Sequence, residues 1–270
     1  MKKILLNFFM IFFILACIIS LTCFIKNQYE LQKEKEQVQV LSELKEKEEN
    51  EEQQEEKKQQ IENPETNACT IEEQPKQVLN EYKKLYEENT DLIGWINIED
   101  TIINYPVMQT VEDATFYIHK DWNKNESSMG LPFIDARCNI DSENIIIYAH
   151  NMKNGTMFGS LKNYKEQEYY KEHPIINFDT IFEKSKYQII GVLLAKVYYE
   201  EEPKENEFIF YNYTNLNTEQ KYNEYINYVK ENSLYEIEEN TNYGDKLITL
   251  CTCHYHTTDG RLLVVAKKIE

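Results

Sequence analysis

The sequence predicts a mainly β domain, built as a barrel or a sandwich, behind an N-terminal helix that spans a membrane. Three observations carry this prediction. An uncharged apolar run occupies residues 4–25, a highly charged stretch follows it, and eight short β-rich segments with turn signals between them fill most of the remaining chain. Short strands that recur at close spacing are typical of closed or two-layered β folds.

The apolar run from Ile4 to Ile25 is long enough to cross a bilayer as a helix, which needs about 20 apolar residues. A cleaved signal peptide has a shorter apolar core and a small-residue cleavage site, so we favour an uncleaved anchor. Lys2 and Lys3 precede the run. Because positive residues stay on the cytoplasmic side, everything after Lys26 is expected to lie outside.

The next stretch is rich in Glu, Lys and Gln and is expected to be a solvated, partly helical spacer. Leu31, Val38, Leu41 and Leu44 form a short helical stripe, but the heptads stop there, so a coiled coil is less favoured. The chain thus divides into a cytoplasmic tip and transmembrane signal-anchor at residues 1–26, a charged low-complexity stalk at 27–74 and a folded domain at 75–270.

The folded domain is predicted to begin with a helix in "PKQVLNEYKKLYEEN", where apolar residues recur at helical spacing after a proline. The eight predicted strands are "LIGWINI", "TIINYPV", "GLPFID", "NIIIYA", "YQIIGVLLAKVYY", "EFIFY", "KLITLCT" and "RLLVVAKK". Two helical segments interrupt them, "TMFGSLKNY" and "NTEQKYNEYINYVKEN", and the second precedes the last two strands. The formal net charge of −18 argues against a nucleic-acid partner, whose phosphates need Lys and Arg.

The segment "LCTCHYHTTDGR" near the C-terminus concentrates groups that could bind a metal, form a disulfide or act as a nucleophile. A metal site would need Cys251, Cys253, His254 and His256 to converge. Successive residues of a strand point to opposite faces, so His254 is expected to point away from the face that Cys251 and Cys253 share. A disulfide between the two cysteines is also disfavoured, because strand geometry sets their Cα atoms near the upper limit for a bridge. A nucleophile is therefore the favoured interpretation.

Cys253 stands where the apolar strand gives way to a polar loop, so its sulfur is expected at a solvent-accessible mouth, with Cys251 one pleat deeper. Arg261 opens the returning strand and could approach Cys253 across the hairpin. A thiolate also needs a base and a group to hold the developing oxyanion. His150 is the favoured base, because it ends an apolar strand and precedes a loop. His119 and His173 lie in polar segments and are expected at the surface.

Several segments of the sequence resemble those of a known protein family. "TLCTC", followed by the arginine of "GRLLVVAKK", is similar to the T-L-x-T-C…R signature of sortases. "NIIIYAHNMKNGTMFGSLKNY" resembles the catalytic-histidine segment of class B sortases, and "DLIGWINIEDTIINYPVMQ" and "FIDARCN" resemble further class B blocks. The helical insert at residues 217–232 is also similar, and the resemblance covers residues 75–270. Three features depart from the pattern: Ala149 replaces the usual Gly, Cys251 fills a variable place, and His254 and His256 are unusual.

The resemblance implies an eight-stranded β-barrel with N-terminal helices and a helical insert before the last two strands. It implies Cys253 as nucleophile, His150 as general acid and base, and Arg261 as the stabiliser of substrate and oxyanion. Ile118, Tyr148 and Cys251 match substrate-groove positions. Four residues before Ile118, where the family usually has Asn, this chain has Ala114. The first residue of the substrate signal is therefore expected to be recognised differently here. No metal or organic cofactor is needed.

The implied function is a membrane-anchored cysteine transpeptidase that cleaves an N-P-x-T-N-like sorting signal after Thr. Its partners would be surface proteins with a C-terminal sorting signal and an amine of a peptidoglycan precursor or a pilin. Two alternatives stay open: a cysteine endopeptidase that passes the acyl group to water, and a non-catalytic metal-binding surface protein. The stalk's own "NPETN", residues 63–67, has the form of such a signal, and cleavage between Thr66 and Asn67 would free the domain from its anchor.

Overall fold

The computed structural model of the protein describes residues 2–62, 76–110, 112–198 and 207–270. The "NPETN" pentapeptide lies outside these residues. The helices are α1 (Lys2–Glu62), α2 (Asn80–Glu88), α3 (Gln167–Glu172) and α4 (Glu219–Asn232). The strands are β1 (Leu92–Asn97), β2 (Asn104–Met108), β3 (Phe133–Ile134), β4 (Asn144–Tyr148), β5 (Ile175–Thr180), β6 (Lys186–Lys196), β7 (Leu247–Cys253) and β8 (Gly260–Lys268). Three 3-10 turns cover Phe116–His119, Phe158–Lys165 and Phe210–Asn212.

The eight strands close into a barrel in the order β1-β2-β3-β4-β7-β8-β6-β5. The prediction of an eight-stranded barrel is therefore confirmed. Most neighbours are antiparallel, but β4 runs parallel to β7, with Tyr148 paired with Cys251. Parallel strands that are covered on both faces need apolar residues throughout, which explains the near-continuous apolar sequence of β4 and β7.

Both faces of β7 are buried, each in a different core. Ile248 and Leu250 point into the barrel, whereas Leu247 and Cys251 belong to a second cluster between the barrel wall and α4. The predicted insert is the amphipathic helix α4, and its apolar residues Tyr222, Tyr225, Ile226 and Val229 are all buried. Thr218 caps this helix by accepting a hydrogen bond from the Lys221 amide.

One predicted strand does not form, and one observed strand was not predicted. "EFIFY" is not a strand; it ends in a 3-10 turn because Phe208 stacks on Tyr228 of α4 at 3.7 Å and Phe210 is fully buried beside that helix. The eighth strand is instead β5, in which Ile176 and Phe178 are buried. The alternation in "IINFDT" is typical of a half-buried strand, but only three of its six residues are strongly apolar, so it was missed.

The expectation of a solvated spacer is wrong for residues 31–49 of α1. The short stripe packs on the domain: Val38 and Leu41 are buried, and Leu31 and Leu44 are partly buried against the same core. We call the contact between residues 31–49 of α1 and the barrel with its helix α2 the α1 seam. Only one helix face needs apolar residues to dock, and polar and charged groups complete this contact, so the composition resembled that of a solvated chain.

Charged and polar contacts extend the seam. Lys184 lies 2.7 Å from a carboxylate oxygen of Glu49 on α1 and 2.8 Å from one of Glu81 on α2. Asn104 of β2 donates to the Ser42 hydroxyl at 2.7 Å. The Lys45 ammonium lies 5.6 Å from the centre of the Tyr82 ring, a cation–π distance. This part of α1 therefore belongs structurally with the barrel.

Candidate active site

Three neighbouring strands carry Cys253, Arg261 and His150 to one end of the barrel. β7 ends at Cys253, and the antiparallel register with β8 places Arg261 directly opposite it. β4 lies parallel to β7 on the other side. Because parallel neighbours end at the same edge of a sheet, His150, two residues beyond the end of β4, reaches the same edge as Cys253.

The chain beyond β4 is held against β7 by three hydrogen bonds. The Ala149 amide donates to the Cys251 carbonyl at 3.3 Å, and the Thr252 hydroxyl donates to the Ala149 carbonyl at 2.8 Å. The Asn151 side chain donates to the Cys253 carbonyl at 2.7 Å. These contacts bracket His150, so its backbone is positioned relative to the nucleophile candidate before any substrate arrives.

The ring of His150 is also oriented. Its Nε2 lies 2.8 Å from the Ile118 carbonyl oxygen. A carbonyl only accepts hydrogen bonds, so this contact places a proton on Nε2 and leaves Nδ1 as the nitrogen that can exchange a proton. Burial lowers the pKa of His150 below its ordinary value, the positive charge of His119 lowers it further, and the bond to Ile118 opposes both. The His119 ring lies against it, with 5.5 Å between ring centroids.

The two cysteines of β7 differ sharply in environment. Cys251 is fully buried, and burial raises the pKa of its thiol well above the ordinary range, although the charge of Arg261 lowers it in part. Cys253 is partly exposed and lies at the mouth. A thiol must ionise to act as a nucleophile, so the geometry favours Cys253 over Cys251.

All six residues predicted for the site line one cavity of about 450 Å³, which we call the groove. They are His150, Cys253, Arg261, Ile118, Tyr148 and Cys251. Ala114, at the position where the family usually has Asn, also lines it. The structure therefore brings the predicted residues together, and their individual roles remain predictions.

The sequence analysis missed a polar cluster in the groove wall. Asp135 is buried and accepts hydrogen bonds from Arg137 Nε at 2.7 Å and from its second guanidinium nitrogen at 2.6 Å. The Tyr148 hydroxyl donates to the same carboxylate at 2.9 Å, and the Tyr211 ring lies 4.6 Å from the guanidinium carbon. One signal was available: Arg137 and Arg261 are the two arginines of the chain, and both line the groove.

The groove has the parts that acyl transfer through a thiol requires. A partly exposed thiol, an oriented imidazole and a guanidinium line one cavity. Such a set can supply the nucleophile, the proton transfer and the charge stabilisation. Among the residues that the structure describes, no group of three or more His, Cys, Asp or Glu side chains is placed to hold a metal ion.

Comparisons with known proteins agree with this geometry. The model of the sortase domain matches residues 96–269. The chain belongs to the sortase family. It is 30% identical to sortase B of Staphylococcus aureus over 194 residues, which are 70% of this chain and 75% of that protein. The family is one of cysteine transpeptidases, and the similarity to sortase B places this chain in class B.

Solved structures of sortase B share the fold. A complex of Staphylococcus aureus sortase B with substrate superimposes with a TM-score of 0.68 at 26% identity, covering 90% of this chain and 99% of that one. Clostridium perfringens sortase B gives a TM-score of 0.60 at 31% identity, covering 70% and 99%. The class B assignment, made on sequence blocks alone, is confirmed.

Proposed function

We propose that this sortase cleaves an N-P-x-T-N-like signal after its Thr and transfers the acyl group to an amine of a cell-wall precursor or a pilin. The observation that carries the proposal is the groove, where Cys253, His150 and Arg261 lie together on one cavity of about 450 Å³. A cavity of this size accepts several residues of an extended peptide. The similar Staphylococcus aureus sortase B has been solved as a substrate complex.

The first half of the reaction forms a thioacyl-enzyme. Cys253 passes its proton to His150, and the thiolate attacks the carbonyl carbon of the signal's Thr. A C–S bond forms and the oxyanion is held by Arg261 and by backbone N–H groups. The C–N bond to the following residue then breaks, and His150 returns the proton to the departing amine. Nδ1 makes these transfers, since Nε2 is engaged with Ile118.

The second half resolves the thioester. An acceptor amine attacks the same carbonyl carbon, a C–N bond forms and the C–S bond breaks. His150 takes the proton that the amine loses, and the Cys253 thiol is restored.

The membrane anchor fits a substrate that is held in the same membrane. By length and composition, α1 contains a segment that could cross a bilayer, and this segment is not buried in the protein. Lys2 and Lys3 before it favour a cytoplasmic N-terminus and a catalytic domain outside the cell. Surface proteins with C-terminal sorting signals and wall or pilin amines would meet the enzyme there.

Mass spectrometry of the detergent-solubilised full chain tests the proposal. The chain is incubated with N-P-x-T-N, S-P-x-T-N and L-P-x-T-G peptides, with and without an added oligoglycine amine. We expect a covalent adduct on Cys253 that ends in the signal's Thr, and a peptide–amine product when amine is present. Hydrolysis alone in the presence of excess amine would make the protein an endopeptidase, and faster turnover of L-P-x-T-G would contradict the class B signal.

A further inference from the structure

The loop between Cys253 and Arg261 carries a pair of histidines that the transfer chemistry does not use. His254 and His256 stand where the chain departs from the family's pattern. Their Nδ1 atoms lie 3.0 Å apart, and the ring centroids lie 5.1 Å apart. Each neutral imidazole has one donor and one acceptor nitrogen, so two Nδ1 atoms at this distance share a single proton.

The loop backbone holds the pair in place. The His254 amide donates to the Gly260 carbonyl at 2.9 Å, and the Gly260 amide donates to the Thr257 carbonyl at 3.2 Å. Gly260 also leaves room for the second ring, since a Cβ there would lie 2.7 Å from Nδ1 of His256. The folded hairpin therefore sets the two histidine backbones close enough for their Nδ1 atoms to meet.

We infer that His254 and His256 form a binding site for a divalent transition-metal ion. The ring that carries the shared proton changes tautomer, so that this proton moves through solvent to the Nε2 atom of the same ring and both Nδ1 atoms can bind the ion. Imidazole nitrogen is a preferred ligand of nickel, copper and zinc ions. Within the described parts of the chain no set of three or more His, Cys, Asp or Glu converges on a metal position, so water completes the coordination. Both rings are accessible to solvent, because His256 is exposed and His254 is partly exposed.

The spacing of the two nitrogens selects among ions. For metal–nitrogen bonds of about 2.05 Å, nitrogens 3.0 Å apart subtend an angle of about 95° at the ion. This angle fits adjacent positions of a square-planar or tetragonal site, which Cu²⁺ and Ni²⁺ prefer. Tetrahedral Zn²⁺ would need the nitrogens about 3.3 Å apart. We therefore expect Ni²⁺ and Cu²⁺ to bind more tightly than Zn²⁺.

The position of the site gives binding a structural consequence. The loop joins the end of β7 to the start of β8, so an ion held by His254 and His256 restrains the loop between Cys253 and Arg261. A ligand that binds only the folded state raises the melting temperature. The ion bound by His254 and His256 should therefore stabilise this hairpin without taking part in acyl transfer.

Calorimetric titration with Ni²⁺ tests the site. The protein is the untagged full chain in detergent with Cys253→Ser, which removes the accessible thiol beside the pair. We expect one Ni²⁺ per chain and a rise in melting temperature. His254→Ala and His256→Ala should each weaken Ni²⁺ binding at least tenfold, since loss of even an outer partner of a ligand typically costs about 10–100-fold.

Two further variants separate metal binding from other effects. His173→Ala removes a histidine outside the hairpin, whose ring contacts the Glu99 carbonyl at 3.1 Å, and should leave Ni²⁺ binding unchanged. His256→Gln can keep a hydrogen bond to His254 but is a poor ligand, so it should lose Ni²⁺ as His256→Ala does. The site is wrong if Ni²⁺ does not bind, if it binds equally to all variants, or if only one of the two alanine variants loses it. Tighter binding of Zn²⁺ than of Ni²⁺ would overturn the choice of ion.

Discussion

The groove and the α1 seam are two surfaces of the same barrel that are assembled in different ways. The groove collects side chains from strands whose register is dictated by the barrel, so Cys253 and Arg261 face each other through main-chain pairing. The seam joins a helix to the barrel through a narrow apolar stripe and through ion pairs such as Lys184 with Glu49. The first surface holds the residues proposed for catalysis, and the second joins the barrel to the helix whose N-terminal part could cross a membrane.

This difference predicts that changes in the groove act on catalysis and changes in the seam act on stability. Each proposed catalytic residue of the groove acts through one reacting group. Its replacement should therefore abolish a chemical step and leave the fold intact. A seam residue contributes one of many contacts between α1 and the barrel, so its replacement should remove only part of the docking free energy of α1.

The strongest test compares the two cysteines of β7. Cys253→Ala should abolish both the thioacyl adduct and turnover, because the nucleophile is lost. Cys251→Ala should keep the adduct, because its thiol is fully buried and shapes the groove from behind. Intact-mass measurement with a sorting peptide reads out the adduct for both. An active Cys253→Ala enzyme, or an inert Cys251→Ala enzyme that remains folded, would reverse the assignment.

His150→Ala should lower the turnover rate by about 10²–10⁴-fold, the typical contribution of a positioned acid and base. His119→Ala is the matched control, since its ring lies against His150 but is exposed. We expect His119→Ala to remain active and to raise the pKa of His150, because one source of positive charge is removed. The pH profile of turnover measures this shift. Equal rates for both variants would contradict the role of His150.

Arg261→Lys should be nearly as damaging as Arg261→Ala. A lysine keeps the charge but lacks the planar guanidinium fork, and main-chain pairing fixes only the origin of the side chain opposite Cys253. Steady-state kinetics with one peptide compares the two variants. Arg137→Lys serves as the contrast, since this arginine is held by two bonds to Asp135 and should affect binding of peptide more than turnover. A fully active Arg261→Lys enzyme would remove the need for the fork.

The main residues of the groove could be predicted from the sequence because His150, Cys253 and Arg261 lie at or next to the ends of apolar strands. Cys253 and His150 stand where strand patterns stop, and the barrel brings such edges together. The cluster of Asp135 and Arg137 was missed because its role depends on the stacking ring of Tyr211, which is 74 residues further along the chain and comes from a segment predicted as a strand. Local patterns carry no information about such distant partners.

The seam was mispredicted for a different reason. Its apolar stripe consists of four residues, Leu31, Val38, Leu41 and Leu44, inside a long Glu- and Lys-rich stretch, so the composition favoured a solvated chain. The docking also depends on Lys184 and Glu81, which come from distant segments and meet Glu49 only in the folded chain. Because the α1 residues of the seam precede "NPETN" in the chain and their partners follow it, the seam should still hold α1 and the barrel together after cleavage at that pentapeptide.

Lys184→Met should destabilise the protein without changing peptide turnover. Glu81 is 1% exposed and would lose its cation in a buried place, whereas the lysine side chain is 47% exposed. Breaking a buried pair typically costs about 3–5 kcal/mol, and partial exposure reduces this to about 1–2 kcal/mol. Lys171→Met, which removes an exposed pair with Glu168, should change stability by less than about 0.5 kcal/mol. Denaturant unfolding measures both, and equal stabilities would contradict the role of Lys184.

The smallest effect concerns two glutamates of the seam whose pKa values move in opposite directions. Burial alone would raise the pKa of Glu49, but the hydrogen bond and charge of Lys184, with the charge of Lys45, lower it below its ordinary value. Burial raises the pKa of Glu34 above its ordinary value, although bonds from Ser127 and two neighbouring amides oppose the shift. The two carboxylates should therefore respond to acid with opposite signs.

Glu49 contributes stability that is present above its unfolded pKa and is lost as the pH falls through its lower folded pKa. Glu34 opposes folding at neutral pH, and this penalty disappears as the pH falls through its raised folded pKa. As the pH falls from about 6 to about 3, the free energy of unfolding of wild type should decrease relative to that of Glu49→Gln. Over the same range it should increase relative to that of Glu34→Gln. Each change should amount to a few tenths of a kcal/mol. Parallel pH curves for both variants would show that the seam is held by its apolar stripe alone.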